Sequence, residues 1–296
     1  MTEGFSEQLP SGLRVVRAGN PGPMTGTGTN SFLVGEERVA IIDPGPDDPA
    51  HLANLLSALR PGAKVSHIIV THAHRDHSAL AARLSAEVDA PVLAFEAADA
   101  TSVLASLEID PAELMGGEGI DEAFRRDGRL ADGETLQSPD WALDVVHTPG
   151  HLNDHICLRW QGAGIVFTGD HVMGWASTFV SPPEGNMTDY MASLDALDTL
   201  PEKRYLPAHG AEVPAGAERV AELRAHRRMR EDALLAELHA GAKSVMELTE
   251  KVYEDTHKAL HAAAARNVLA HLLDLLARGV VASRRRPGQE RVFYLQ

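Results

Sequence analysis

Three histidines and one aspartate crowd six consecutive positions, His72-Ala73-His74-Arg75-Asp76-His77, directly after Thr71. The chain has 15 histidines in 296 residues, so a random polar loop would seldom gather three so closely. An apolar run at 67–70 reads as a strand before the cluster, and 78–87 reads as a helix after it. On the turn between them, His72 and His74 can face one centre while Asp76 and His77 face a second beside it. Imidazole nitrogens and carboxylate oxygens suit a borderline divalent cation, zinc above all, with Mn or Fe as substitutes.

Further donors fall at the ends of other predicted strands. They are His151 in His147-Thr148-Pro149-Gly150-His151, Asp170 after Thr168-Gly169, and His209 in Pro207-Ala208-His209-Gly210. Each alone is weak, because a strand-end Asp more often forms a turn or caps a helix. Joined to the cluster, they give two metals a third histidine each and a bridging carboxylate. A water shared by two such cations would ionise near neutral pH and attack an acyl carbon or a phosphorus. Nothing points to a serine nucleophile, since no G-x-S-x-G elbow is present. The loop 25–29 lacks the Gly-Lys-Ser/Thr of a phosphate-binding loop. Cys157 lies in an apolar strand and reads as a buried, inert thiol. His147 reads as a structural hydrogen-bonding residue. His155 reads as a support behind the site, with substrate contact as its alternative.

The elements that must position these residues alternate. Strands are expected at 13–16, 31–34, 39–42, 67–70 and 91–95, with helices at 50–59, 78–87 and 97–107. A second strand-rich stretch covers 134–136, 143–147, 155–160, 164–168 and 205–207, with a helix at 188–200 that Thr188 would cap. Two such halves predict an α/β two-sheet sandwich with helices outside. Beyond Pro214 the style changes. Helices at 217–239, 244–253 and 259–278 precede a hairpin of 280–283 and 291–295, which is the winged-helix order.

Composition sets bounds. The net charge is −15, but residues 1–210 hold 13 basic and 30 acidic groups, net −17, and the rest is slightly basic. That argues against strong non-specific nucleic-acid binding. A hydrophobic share of 44% and a charged share of 23% suit a folded globular chain. No apolar run reaches membrane-spanning length, no signal peptide is evident, and a single cysteine fits a reducing cytoplasm. No membrane partner is expected, and a homodimer through the tail helices remains open.

These motifs, THAHRDH at 71–77, HTPGH ending at His151, FTGD ending at Asp170 and PAHG around His209, resemble the metallo-β-lactamase superfamily in type and order. Asp43, in AIIDPG, matches the family's early aspartate. The resemblance covers 30–210 and implies a four-layer αββα sandwich with a dinuclear site between the sheets. It would assign His72, His74 and His151 to one metal, Asp76, His77 and His209 to the other, and Asp170 to both. Asp43 would orient ligands and Asp76 the nucleophile, so the resemblance makes Asp76 and Asp170 the expected catalytic residues. The tail, together with GDHVMGW and TDYMASLDAL, resembles the beta-lactamase-like subgroup that includes single-strand endoribonucleases and thioesterases. The expected division is 1–212 for the catalytic domain and 213–296 for the winged-helix-like domain. The resemblance implies a zinc hydrolase, with two zinc ions per chain. A small ester, thioester or other acyl substrate is favoured by the acidic balance. The alternative is cleavage of single-stranded RNA, to which Arg284-Arg285-Arg286 at the wing would contribute. A nucleic-acid-binding regulator with a vestigial metal site is the third reading. The resemblance assigns no role to His171.

Overall fold

The computed structural model describes residues 4–5, 9–96, 104, 107, 109, 119–285 and 290–296. Most of the helix expected at 97–107 lies outside the described residues, and so do Arg286 and the turn after it.

Six strands build the first sheet: β1 (Leu13–Arg17), β2 (Asn30–Val34), β3 (Arg38–Ile42), β4 (Lys64–Val70), β5 (Val92–Phe95) and β6 (Gly128–Leu130), in that spatial order. The first three are antiparallel, and β3 to β6 run parallel. Helices α1 (Pro49–Ser57), α2 (Arg75–Ser78) and α3 (Ala81–Val88) lie in its crossovers. The single helix expected at 78–87 is thus two, with residues 79–80 between them. The short strand β6 carries no alternating apolar pattern and was not expected.

The second sheet has the order β11-β10-β9-β8-β7. Its strands are β7 (Thr135–Ser138), β8 (Trp141–His147), β9 (Ile156–Trp160), β10 (Ile165–Gly169) and β11 (Arg204–Pro207). Helix α4 (Met187–Asp198) connects β10 to β11, which pair in parallel. Asn186 caps this helix by accepting from the Asp189 N–H at 3.2 Å. That corrects the expectation for Thr188, which lies in the first turn with its hydroxyl on Asp274.

Alternation along the strands sorts the core. Phe32, Val34, Ala40, Ile42 and Ile69 of the first sheet meet Leu143, Val145, Leu158, Ile165 and Phe167 of the second. The opposite face of the first sheet buries Leu33, Ile41 and Ile68 against Leu52, Leu55 and Leu84 of α1 and α3. The opposite face of the second buries Val166 and Tyr205 against Tyr190, Leu194 and Leu197 of α4. With both faces covered, one by helices and the other by the facing sheet, β2 and β10 are buried at every position. This is the four-layer αββα arrangement.

The tail comprises α5 (Gly216–His239), a short strand β12 (Lys243–Ser244), α6 (Val245–Val252), a 3-10 turn (Lys258–Leu260), α7 (His261–Ala277), β13 (Val281–Arg284) and β14 (Val292–Leu295). Ser244 and Glu247 form a reciprocal capping box at the start of α6. Leu234, Leu248, Val268, Leu272, Val281 and Phe293 form a separate core. Strand β12 completes a three-stranded sheet that the sequence pattern did not announce. The tail also touches the sandwich, since Val220, Leu223 and Ala270 join the core beneath α4. Among the described residues, no helix is long and apolar enough to cross a membrane.

Candidate metal centre

Five loops reach one place because five strands end at one edge. Ile42 and Ile69 are register partners in the parallel pair β3–β4, so Asp43 and the loop after Val70 emerge side by side. Gly169 and Pro207 are partners in the parallel pair β10–β11, which brings Asp170 next to His209. Strand β8 is antiparallel to β9, itself antiparallel to β10, so the loop carrying His151 leaves the same edge. The sheets are tied there: the Ile156 N–H donates to Thr71 O at 2.9 Å and the Asn30 N–H to Ala208 O at 2.7 Å. Two glycines allow the close packing. Gly169 has φ +48, and a Cβ on it would lie 2.5 Å from His155 Nε2. Gly150 has φ +132, and a Cβ there would strike the Tyr190 backbone at 2.3 Å.

Two groups of donors result. His72, His74, His151 and Asp170 form one, and Asp76, His77 and His209 form the other, each with its donor atoms within 4.8 Å of one another. Asp170 faces both. Its Oδ2 lies 3.6 Å from His151 Nε2 and 4.0 Å from His72 Nε2. Its Oδ1 lies 3.4 Å from His209 Nε2 and 3.6 Å from His77 Nε2. Asp76 Oδ2 lies 3.1 Å from His209 Nε2 and 3.5 Å from His77 Nε2. All seven predicted ligands therefore converge. The donor chemistry fits divalent cations. In addition, among the described residues the buried His77 Nε2 and Asp170 Oδ1 have no hydrogen-bond partner.

The groups behind the donors set their direction. Asp43 Oδ1 accepts from the Thr71 N–H at 2.8 Å, and its Oδ2 from the Thr71 hydroxyl at 2.9 Å. The same Oδ2 lies 3.1 Å from His77 Nδ1, which leaves Nε2 facing the centre. Asp43 does this from φ 51, a left-handed conformation that Asp tolerates better than most residues. His155 is fully buried; its Nε2 accepts from the Asp170 N–H at 3.1 Å, and its Nδ1 pairs with the Thr148 hydroxyl at 2.9 Å. It lies behind Asp170 and holds the Asp170 loop from the buried side. His151 Nδ1 donates to Phe179 O at 2.6 Å, and His209 Nδ1 pairs with Gly28 O at 3.3 Å.

Electrostatics differ between the two groups. Burial pushes His72 well below the usual histidine range and, aided by His151, takes His74 down to about 3. Burial likewise lowers His151. These imidazoles are neutral, with lone pairs available as a metal ligand requires. Around the second group, burial would lower the histidines too, but carboxylates outweigh it. Asp76, Asp170 and Asp43 hold His77 well above the usual range. Asp170 and Asp76 raise His209 to about 9. Burial would raise Asp170, yet His209 and His77 hold it well below the usual range. The second locus thus favours positive charge.

Other residues read from the sequence take structural places. His147 stacks on Phe95 at 3.9 Å, and its Nε2 meets Asn153 O at 2.9 Å. Cys157 is buried beneath the Thr148 hydroxyl, and burial pushes its thiol up to about 12. His171 packs between His155 and Tyr190, and burial takes it down to about 3. Arg284 is exposed, with its guanidinium 5.4 Å from the centre of the Tyr294 ring. Asp154 was missed: its Oδ2 accepts the N–H of Ala73 at 3.0 Å, between His72 and His74, and burial raises it to about 6. An Asp in a turn beside His151 and His155 was the available signal. A cleft at the first group is lined by His74, Ile120, His151, Leu152, Phe179 and Glu184. A cavity of about 310 Å³ is lined by Leu104, Pro149, Met187, Leu273 and Asp274 and by none of the seven candidate donors.

Residues 24–209 match the family described as Metallo-beta-lactamase superfamily, and 244–289 match the Beta-lactamase associated winged helix domain. The chain belongs to the metallo-beta-lactamase superfamily, a family of metal-dependent hydrolases. It is 29% identical over 282 residues to a Beta-lactamase-like protein 2 homolog of Drosophila melanogaster, covering 92% of this chain and 90% of that protein. It is 27% identical over 252 residues to an Atrochrysone carboxyl ACP thioesterase of Aspergillus chevalieri, covering 81% of this chain and 73% of that protein. Its fold matches a beta-lactamase domain protein from Burkholderia ambifaria with a TM-score of 0.81 at 22% identity, over 98% of this chain and 93% of the other.

Proposed function

We propose that this chain is a dinuclear-zinc hydrolase of a small ester, thioester or related acyl compound. The observation that carries the reading is the Asp170 carboxylate, which turns one oxygen to each donor group. His72, His74 and His151 would hold one ion, Asp76, His77 and His209 the other, and Asp170 would span both; Mn or Fe would suit the same donors. Bound there, two divalent cations supply a water of lowered pKa and a Lewis acid for the carbonyl under attack.

The remaining work belongs to the chain. Burial keeps the first three imidazoles unprotonated. Asp43 fixes His77 and the Thr71 backbone, and His155 fixes the Asp170 loop, so the donors are set before a metal arrives. Asp76, the most exposed of the three carboxylates that surround His77, would orient the nucleophile. Phe179 and Leu152 present an apolar wall at the cleft. The net charge of −17 on residues 1–210 weighs against a polyanionic substrate, and the name of the fungal relative favours a thioester. The reading includes a division near residue 212 and a reducing cytoplasmic compartment.

Glutathione thioesters, aryl esters and labelled single-stranded RNA, assayed side by side with wild type and Asp170→Ala, test it. Acyl turnover that disappears in the variant supports the reading. Acyl turnover unchanged in the variant overturns it. Single-stranded RNA is the second reading, favoured by the exposed Arg284 and Arg285 on the wing. RNA cleavage lost in Asp170→Ala, without acyl turnover, would establish it instead.

A further inference from the structure

Arg227 of α5 is among the largest fully buried side chains of the protein, with 1% exposure. Taking a guanidinium out of water is unfavourable unless partners compensate for the lost hydration. Among the described residues, no carboxylate lies within ion-pair distance of it. Its partners are a carbonyl, an amide and a ring instead. Nη2 donates to Thr178 O and Nη1 to Asn267 Oδ1 at 3.2 Å, and the guanidinium lies over Tyr190 at 5.1 Å.

Thr178 is the junction. Its hydroxyl lies 2.9 Å from Asp170 O and 2.7 Å from His171 O, and its one proton can be donated to either. The next residue, Phe179, gives the carbonyl that orients His151. Two further tail residues, both on α7, grip the next stretch of chain. Asn267 Oδ1 accepts the Val180 N–H at 3.2 Å, and Arg266 bonds Ser181 Oγ at 2.8 Å and Pro182 O. Residues 178–182 are thereby clasped by α5 and α7 on one side and hold two metal-centre residues on the other.

We propose that Arg227 is a positioning residue for the metal centre: through Thr178 and Phe179 it fixes the directions of Asp170 and His151. The tail is then part of how the sandwich holds its metals. This rests on the assignment of those two residues as ligands, and the test separates the two ideas.

The test measures zinc retention against a chelator, and the visible spectrum of the cobalt-substituted protein, for wild type, Arg227→Lys and Thr178→Val. Lysine keeps the charge but cannot bridge Thr178 and Asn267 as the planar fork does. Valine keeps the shape and loses the hydroxyl. Arg230→Lys is the matched control. Arg230 lies on the same helix, sits 4.3 Å over Tyr253 and bonds Val252 O at 2.7 Å, all within the tail. We expect Arg227→Lys and Thr178→Val each to weaken zinc retention about tenfold or more and to alter the cobalt spectrum, while Arg230→Lys leaves both unchanged. The double variant should be no worse than the worse single one, because both break one path. If Arg227→Lys fails to fold, Thr178→Val decides alone. Wild-type retention and spectrum in these variants, whatever their melting temperatures, overturn the positioning role only. A wild-type protein that binds no metal overturns the ligand assignment, and this role with it.

Discussion

The sandwich and the tail both bury side chains that can carry charge, and they do so in opposite ways. At the sheet edge, buried His72, His77, His151 and His209 converge on carboxylates and point their nitrogens at one another. In the tail, buried Arg227 meets a carbonyl, an amide and a ring, and among the described residues both ring nitrogens of His271 lack a partner. Burial alone therefore marks neither region as chemical. Convergence of unlike donors on a common point marks the first, and a lone cation on the backbone of another domain marks the second as a brace.

Of the residues in the two regions, Asp170 should show the largest effect when replaced. Asp170→Ala should lower turnover on the order of a thousandfold or more, given the several kcal/mol that a metal pair's charge contributes. Elemental analysis should find fewer than the two metals per chain expected of wild type. A smaller loss is expected from Asp43→Asn, which spares every ligand but removes the charge behind His77. Metal affinity should fall about 10–100-fold, read by competition with a chromophoric chelator.

The tail's part is seen in stability. Burial takes His271 down to about 3, while its unfolded value is about 6.5. The unfolded chain then binds the extra proton between those values, so stability is full above pH 6.5 and is lost as pH falls towards 3. His271→Leu should reduce this acid sensitivity by at most about 1.4 kcal/mol per pH unit. Urea midpoints at several pH values would show it, and an unchanged slope would contradict it. The smallest effect belongs to the wing. Arg284→Ala with Arg285→Ala should leave acyl turnover unchanged; a fall in the salt dependence of RNA binding by about one per lost phosphate contact would shift weight to the nucleic-acid reading.

Much of the site was legible because its chemistry is local. The cluster from His72 to His77 needs only one turn to present four donors, and His151, Asp170 and His209 each announce themselves after a β-type run. Much of the fold was legible for the same reason, since apolar periodicity reports buried faces. Misreadings fell where the deciding partner is distant or the element is short. Asn186 displaced Thr188 as helix cap because the Thr188 hydroxyl is drawn to Asp274 on α7. Strands β6 and β12 span three and two residues, too short for a pattern. Asp154 looked like any turn aspartate until Ala73 arrived beside it.

By itself, the sequence determined the donor set, its nitrogen-and-oxygen character given a single cysteine, the order of elements and the change of style after residue 214. Only the tertiary structure decided that Asp170 divides its oxygens between two groups, that His155 stands behind it, and that Arg227 reaches from the tail to the loop that holds His151. The physical reason is range. Side-chain type and periodicity are properties of neighbours along the chain, whereas a hydrogen bond between residues 49 positions apart exists only once packing has brought them together.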